Sequence, residues 1–234
     1  MTGNEVDVLF DDMRTFEDWG LRLEKITLSF PEPKLDLVDI PGADGMADLT
    51  EVNGPVRYEN RDIRLTFSLV GSYAGWHTLA SLIATKLHGK LRRCILPDDP
   101  AFFYQGRFTL ETEKDSPAVT GIVISGNVEP YKQETQDSLE DWLWNPFNFE
   151  TGIIREYADI AVDGVLEVNI IGREMPVVPR IIVDNEMTVE FENVVYELVP
   201  GTNVIYDIVT SPGDNILKFE GHGAVSVGYR GGML

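Results

Sequence analysis

The 234 residues are enough for one large domain or two small domains, each with its own hydrophobic core. Hydrophobic residues make up 43% of the chain and charged residues 25%, values typical of a folded globular protein, so disorder is not expected. The 39 acidic residues outnumber the 19 basic ones and give a formal net charge of −20, which disfavours binding to nucleic acid or to anionic membranes.

Cys94 is the single cysteine, so no intrachain disulfide can hold the fold together. It lies in the segment Leu91–Leu96 and is followed directly by the apolar Ile95 and Leu96, which favours a buried structural thiol over a nucleophile. The first residues lack the basic start and apolar run of a signal peptide, and no window has the apolar length of a membrane span. We therefore expect synthesis in the cytoplasm without a cleaved signal, and no membrane insertion.

Period-two alternation of apolar and polar residues predicts the first strands. The segment from Ile63 to Leu69 alternates strictly and indicates a strand with one wet face. The segment from Leu21 to Phe30 changes register near Lys25, which predicts a long strand with a bulge.

One helix is predicted over about residues 76–88. Apolar residues recur at helical spacing from Trp76 to Leu87, and Gly89 follows as a C-terminal stop. His77 and His88 lie at its two ends, and His222 is the only other histidine. None of the three has a partner at metal-ligand spacing, so no metal site is predicted.

Two further strands, one beginning at Phe108 and one containing Ile122, are predicted to meet at a turn formed by Ser116-Pro117. The composition then changes over residues 132–150, where a polar connector precedes a group of aromatic residues. We expect those aromatic side chains to pack between two domains: Trp142, Trp144, Phe147 and Phe149. The predicted boundaries are residues 1–135 for the N-terminal domain, 136–149 for the junction and 150–234 for the C-terminal domain.

The second half shows short apolar segments separated by turn signals, which predicts seven or eight antiparallel strands in a β-sandwich. Asp163-Gly164 is the strongest hairpin signal and would separate a strand at 160–162 from one at 165–171. Another strand is expected over Asn203–Ile208.

Enzymatic chemistry finds little support. No G-x-S-x-G motif is present, and the adjacent acids Asp11-Asp12 and Asp98-Asp99 stand at turn-like positions where carboxylates are usually solvated. The acidic loop at Asp44-Gly45 lacks the ligand spacing of a calcium loop. No catalytic residue, metal or cofactor is predicted.

Short segments spread over nearly the whole chain resemble the distal tail protein family of siphophages, the long, non-contractile-tailed bacteriophages. None is specific alone; their order and spacing carry the resemblance. They are Phe16–Leu23, Phe30–Lys34, Ile40–Gly45, Asp48–Thr50, Tyr58–Arg61, Leu87–Lys90, Tyr104–Arg107, Glu129–Tyr131, Pro146–Phe149, Pro200–Asn203 and Gly228–Arg230.

The resemblance implies a mainly β protein with an N-terminal β-barrel or split-barrel-like domain, which carries the helix, and a C-terminal galectin-like β-sandwich. Such a protein is a virion component at the tail tip. It forms a hexameric ring that joins the tail tube protein to the tail-tip or baseplate hub protein, and DNA passes through its channel without specific binding. The charge of −20 would then suit an acidic channel that does not retain DNA.

The resembling segments also supply candidate structural and interface residues, which are Pro33, Pro41, Gly42, Asp44, Gly45, Tyr58, Arg61, Gly106, Arg107, Pro130 and Tyr131. Pro41-Gly42 and Asp44-Gly45 suit a turn in an extended arm. Arg61 and Arg107 are cations in an acidic chain, so each is expected to pair with a carboxylate, within a subunit or across an interface.

Two alternatives stay open. One is a carbohydrate-binding virion module for host attachment, because exposed aromatic residues can stack on sugars, and weak glycan binding by the sandwich is compatible with either reading. The other is an all-β hydrolase of cell-wall polysaccharide.

Overall fold

The computed structural model describes residues 6–69, 75–116, 119–140, 153 and 155–234. The chain divides into two compact units. Unit 1 comprises Met1–Asp99 and Tyr104–Pro130, and unit 2 comprises Pro100–Phe103 and Tyr131–Leu234. The described residues form many strands and one helix, so the prediction of a mainly β protein is confirmed.

The elements of the first half are β1 Leu9–Phe10, β2 Met13–Arg14, β3 Leu21–Leu28, β4 Leu37–Asp39, β5 Met46–Asp48, β6 Arg61–Leu69, α1 Trp76–Leu87, β7 Leu91–Ile95, β8 Phe102–Ser116 and β9 Val119–Val128. All the strands except β4 and β5 join one antiparallel sheet in the order β2-β1-β7-β8-β9-β6-β3. Within the described ranges, strands β4 and β5 pair only with each other.

The predicted elements of unit 1 are confirmed. Strand β3 shifts register against β6 between Leu23 and Lys25, where the bulge was expected. Helix α1 ends at Leu87, and Gly89 adopts the left-handed conformation with φ of 72° that a helix stop requires. Strands β8 and β9 pair as far as Ser116 and Val119, and the turn predicted at Ser116-Pro117 lies partly outside the described residues.

Period-two alternation places one face of β6 in the core of unit 1. Ile63, Leu65 and Phe67 are buried there, and the apolar stripe of α1 contributes Ile83 and Leu87 to the same cluster. Burial of such side chains is worth about 1.5–3 kcal/mol each. This cluster fixes both the sheet and the helix.

The strands of the second half are β10 Lys132–Glu134, β11 Ile160–Gly172, β12 Arg180–Val183, β13 Met187–Phe191, β14 Val194–Leu198, β15 Gly201–Val204, β16 Gly213–Gly228 and β17 Gly232–Met233. Strand β16 pairs with β11 on one side and with β13 and then β12 on the other. Strand β10 lies between β17 and the first two residues of β8, so three distant chain segments meet in unit 2.

The predicted hairpin at Asp163-Gly164 is wrong, because β11 runs through it without interruption. Asp163 and Gly164 lie opposite His222 and Gly221 of β16, and the ladder between the two strands is continuous from Ile160 to Gly172. Gly164 does adopt a positive φ of 87°. Pairing along the whole strand therefore outweighs the local turn preference, and the glycine accommodates the conformation within the strand.

The prediction of a strand over Asn203–Ile208 is also partly wrong. Strand β15 ends at Val204, and the Ile208 amide then donates to the Ile205 carbonyl at 3.1 Å in a turn. Ile208 is apolar because it is buried in the core of unit 2. Glu192 and Asn193 form the turn between β13 and β14, and both adopt positive φ values, 48° and 65°.

Candidate functional surfaces

A long excursion of unit 1, residues 30–58, leaves the sheet after β3 and returns before β6; we call it the arm. Its base is held by an antiparallel bridge between two predicted residues, Pro33 and Tyr58. The Lys34 amide donates to the Arg57 carbonyl at 2.8 Å, and the Glu59 amide donates to the Glu32 carbonyl at 2.8 Å. Pro33 and Tyr58 are therefore paired with each other at the base of the arm, and the sequence did not predict this pairing.

The tip of the arm is the small hairpin of β4 and β5. Its connecting turn contains Pro41, Gly42, Asp44 and Gly45, as predicted, and the two glycines adopt φ of 85° and 78°. The Ala43 amide donates a hydrogen bond to the Ile40 carbonyl at 3.0 Å, which closes the turn. The acidic loop is therefore the connecting turn of the hairpin.

Hydrogen bonds beside the hairpin use one of the arm's carboxylates. The Thr50 amide donates to Asp48 Oδ1 at 2.9 Å, and the Asp36 amide donates to Thr50 Oγ1 at 3.0 Å. Hydrogen bonds from the Thr50 side chain and backbone lower the pKa of Asp48. These bonds link the two sides of the arm behind its tip.

The arm exposes an unusual amount of apolar surface. Eight of its large hydrophobic side chains are between 39% and 80% exposed, namely Phe30, Leu35, Leu37, Val38, Ile40, Met46, Leu49 and Val52. A two-stranded hairpin is only marginally stable alone in water, and contiguous exposed apolar surface commonly marks an interaction site. The arm is therefore the strongest candidate interface in the described part of unit 1.

A second surface of unit 1 is basic and surrounds the C-terminal end of α1; we call it the basic helix end. Arg92 Nε and Nη2 donate to the Lys86 carbonyl at 3.2 and 2.9 Å, and Lys90 Nζ donates to the Thr85 carbonyl at 2.6 Å. Arg107 Nη1 donates to the Gly89 carbonyl at 2.9 Å. Arg92 and Lys90 thus cap carbonyls of the last helical turn, Arg107 binds the carbonyl just beyond it, and all three cations complement the negative end of the helix dipole.

Asp11 is the carboxylate that pairs with this group. It accepts from Arg92 Nη1 at 3.0 Å and from the Arg93 amide at 3.0 Å. These two hydrogen bonds give Asp11 a structural role, because they hold it against the first residues of β7. Arg107 was expected to pair with a carboxylate, but its bond in the structure goes to a backbone carbonyl.

Gly106 permits close approach of neighbouring strands. A Cβ atom at Gly106 would lie 2.3 Å from the Asn127 carbonyl oxygen and 2.6 Å from Val128 Cα. The residue pairs with Arg92 of β7 and with Val128 of β9. The glycine predicted at this strand is therefore required by the spacing of the sheet.

Arg61 has no carboxylate partner among the described residues of its own subunit, and the expected pairing across an interface stays a prediction. Its side chain is buried, and Nε and Nη2 have no hydrogen-bond partner in the described part of the chain. The guanidinium instead lies over the ring of Tyr104, 4.7 Å from its centroid. Burial lowers the pKa of Arg61, and the nearby Tyr104 acts in the opposite direction.

Unit 2 contains a buried ionic cluster, which we call the Glu134 cluster. Glu134 Oε2 lies 2.7 Å from Arg155 Nη1, and Glu134 Oε1 accepts from Arg173 Nε at 2.6 Å. The Gly231 amide donates to the same carboxylate at 2.9 Å. All three charged side chains are at most 9% exposed, so the carboxylate is paired with cations rather than solvated.

The cluster continues through Tyr229, which extends it to β11. Arg155 Nε donates to the Tyr229 hydroxyl at 3.0 Å, and that hydroxyl donates to the Ile171 carbonyl at 2.7 Å. Burial alone would lower the pKa of Arg155, but the charge and hydrogen bonds of Glu134, aided by Tyr229, outweigh it and raise that pKa.

Sequence reasoning missed the Glu134 cluster because its members are far apart along the chain. Unit 2 has only six Lys and Arg residues against 18 acidic ones, so each of its cations is a scarce counter-charge. The small number of cations was the one sequence feature that could have suggested Arg155 and Arg173 as partners of a buried carboxylate. Of the residues that the sequence did predict in this part, Pro130 and Tyr131 end unit 1 and begin unit 2, respectively. Trp142, Trp144, Phe147 and Phe149 lie outside the described residues.

The titratable side chains show no arrangement for metal binding: among the described residues, no group of three or more His, Cys, Asp or Glu side chains could hold a metal ion. His88 Nδ1 accepts the Leu110 amide at 3.1 Å, and His222 Nδ1 lies 2.8 Å from Asp163 on the surface. Cys94 is buried, and burial raises its pKa. No helix in the described ranges combines the length and hydrophobicity needed to cross a bilayer.

Comparisons with known proteins identify the fold. No family model matches the sequence, and no curated protein matches it. The structure is similar to the crystal structure of the SPP1 Dit protein (gp 19.1), which is described as a paradigm of the hub adsorption apparatus in phages that infect Gram-positive bacteria. The TM-score is 0.62 at 11% sequence identity, and the match covers 99% of this chain and 100% of that one. The two chains therefore share a fold along their whole length.

Proposed function

We propose that this protein is a structural virion protein of a phage tail. It forms a hexameric ring at the distal end of the tail, where it joins the tail tube to the tail-tip or baseplate hub and leaves a channel for DNA. The observation that carries this proposal is the full-length fold similarity to SPP1 Dit. A similarity that covers both units favours a shared architecture over the borrowing of a single module.

The surface of the chain supports a role in assembly. The arm exposes eight large hydrophobic side chains. Among the described strand pairings, its hairpin of β4 and β5 has no third strand. A ring subunit buries such surface against its neighbours, whereas an isolated monomer leaves it in water. The candidate residues Pro33, Tyr58 and Gly42 shape that arm.

Mass and symmetry test the proposal directly. We expect purified protein to reach six times the 26.2 kDa of one chain in light scattering, and to give six-fold ring projections in electron microscopy. A persistent monomer at high concentration would contradict the ring. A monomer that binds cell-wall glycans would instead favour the carbohydrate-binding alternative.

The channel gives a second expectation. Rings should not retain double-stranded DNA even at low salt, because DNA retention depends on Lys and Arg contacts to phosphate and each subunit carries a net charge of −20. A mobility-shift assay at low ionic strength measures this. Stable retention of DNA would contradict passage without specific binding.

A further inference from the structure

The arm and the basic helix end have complementary chemistry on the same unit. The arm contains six acidic residues and two basic ones, in addition to its exposed apolar side chains. The acidic residues are Glu32, Asp36, Asp39, Asp44, Asp48 and Glu51. The arm is therefore an anionic, apolar projection.

The helix α1 and strand β7 have the opposite character. Residues 76–95 contain no acidic residue, although the whole chain has 39 of them. They contain Lys86, Lys90, Arg92 and Arg93, and the bonds to helix carbonyls gather the first three of these at one end of α1. Asp11 offsets one of these charges.

Apolar side chains are exposed beside these cations. Leu82 lies one helical turn before Lys86 and is 46% exposed, and Leu91 at the start of β7 is 53% exposed. A surface that exposes leucines beside the amino groups of Lys86 and Lys90 fits an anionic, apolar partner. In this chain, the arm has that composition.

We propose that the arm of one copy docks on the basic helix end of the next copy. The inference rests on the ring proposed above and names the contact that builds it. The arm and the helix end are different patches of the same subunit, so their contact is heterologous, and repetition of a heterologous contact generates a ring when the rotation closes. The apolar side chains of the arm then cover Leu82 and Leu91, while its carboxylates face Lys86 and Lys90.

Cross-linking between single-cysteine variants tests the contact. The native Cys94 is buried, so an introduced thiol is the reactive one. We would mix the Met46→Cys variant with the Leu82→Cys variant and treat the assembled protein with a flexible bismaleimide. We expect covalent dimers in the mixture, well above the yield from either variant alone, and a ladder of linked chains from the double variant. As a control, Val165→Cys, exposed on β11 of unit 2, replaces Leu82→Cys and should give only background.

Charge exchange gives an independent measurement. Lys86→Glu with Lys90→Glu should raise the protein concentration needed for half-assembly about tenfold, and so should Asp36→Lys with Asp39→Lys. Combining all four changes should restore most of the loss. Glu197→Lys with Glu220→Lys makes the same change in net charge as the arm variant on the surface of unit 2, and should leave assembly unchanged.

The outcomes separate this contact from the ring itself. Rings that form normally but give only background cross-linking, or charge variants that fail to restore each other, would overturn the contact and leave the ring standing. Absence of rings in the wild-type protein would overturn the proposed function.

Discussion

The buried carboxylate of Glu134 connects several distant segments of unit 2. It binds two guanidinium groups and a backbone amide, while the backbone carbonyl of Glu134 accepts from Arg230 Nη1 at 3.0 Å. The residue lies in the polar connector, and the sequence analysis assigned it no structural role. Nothing local to the connector distinguishes Glu134 from an exposed acid, because both arginines arrive from later in the chain.

The substitution Glu134→Gln should destabilise unit 2 by about 3–5 kcal/mol, since it leaves two buried guanidinium groups without a counter-charge. Urea unfolding measures the change. The matched control is Glu140→Gln, whose side chain is 54% exposed and pairs with Arg230 at 3.3 Å; it should change stability by at most about 1 kcal/mol. Equal effects of the two variants would show that the cluster is not a stabilising unit.

Arg61 presents the opposite case, a buried cation without a counter-charge among the residues that the structure describes. Its contact with the Tyr104 ring recovers part of the cost of desolvation, but two of its nitrogens remain without acceptors. We expect Arg61→Met to leave the free energy of unfolding unchanged or to raise it by about 1 kcal/mol, because an apolar side chain of similar length suits the site better.

The control for this prediction is Arg64→Met on the same strand. Arg64 is 45% exposed and lies 3.2 Å from Glu111, so its loss should cost at most about 1 kcal/mol. A loss above about 2 kcal/mol from Arg61→Met, measured by urea unfolding, would show that the Arg61 guanidinium has a partner in solution.

At the scale of the element, the sequence predicted an element correctly where all the signals for it lie within the element itself. The alternation of β6 and the stripe and glycine stop of α1 are contained within a dozen residues, and both elements fold as predicted. The prediction of a hairpin at Asp163-Gly164 was wrong because the conformation of this segment depends on pairing with β16. That strand lies some 50 residues later in the chain, and no local preference encodes the pairing.

The strand pair around Gly106 gives a prediction at this scale. Gly106→Ala should cost about 2–3 kcal/mol, because the new methyl group would meet the backbone of β9, which can move only together with the sheet. Chemical denaturation measures the loss. Thr112→Ala on the exposed surface of the same strand should change stability by at most about 0.5 kcal/mol. A Gly106→Ala variant as stable as that control would show that the strands separate freely at this point.

At the scale of the whole molecule, the described residues form two hydrophobic clusters with no shared member. The length of the chain allowed one domain or two, and the change of composition over residues 132–150 favoured two. The exposed apolar arm was not predictable as a surface, because its leucines and valines look like core residues in the sequence.

Two separate cores should produce two calorimetric transitions. Phe219→Ala removes a fully buried ring from the cluster of unit 2, and Phe67→Ala does the same in unit 1. Each should destabilise its own unit by about 3–5 kcal/mol and lower only one of the two transition temperatures. A single transition that both variants lower equally would contradict separate domains.

The distribution of charge also belongs to this scale. Unit 1 carries 21 acidic and 13 basic residues, a net charge of −8, and unit 2 carries 18 and 6, a net charge of −12. Most of the excess negative charge therefore lies in unit 2. This distribution favours solubility as the role of much of the charge.

The small sheet of β10 between β8 and β17 has a consequence for the order of synthesis. Its three strands are supplied by residues near 102, 133 and 232, so the patch cannot close until the last of these has left the ribosome. The Gly231 amide reaches Glu134 at the same late moment. Unit 1 can fold while the rest is still being translated, whereas unit 2 waits until Gly232 and Met233 have been synthesised. A prematurely terminated polypeptide would thus leave Glu134 with an unfinished environment, and cellular proteases could recognise it before it joined an assembly.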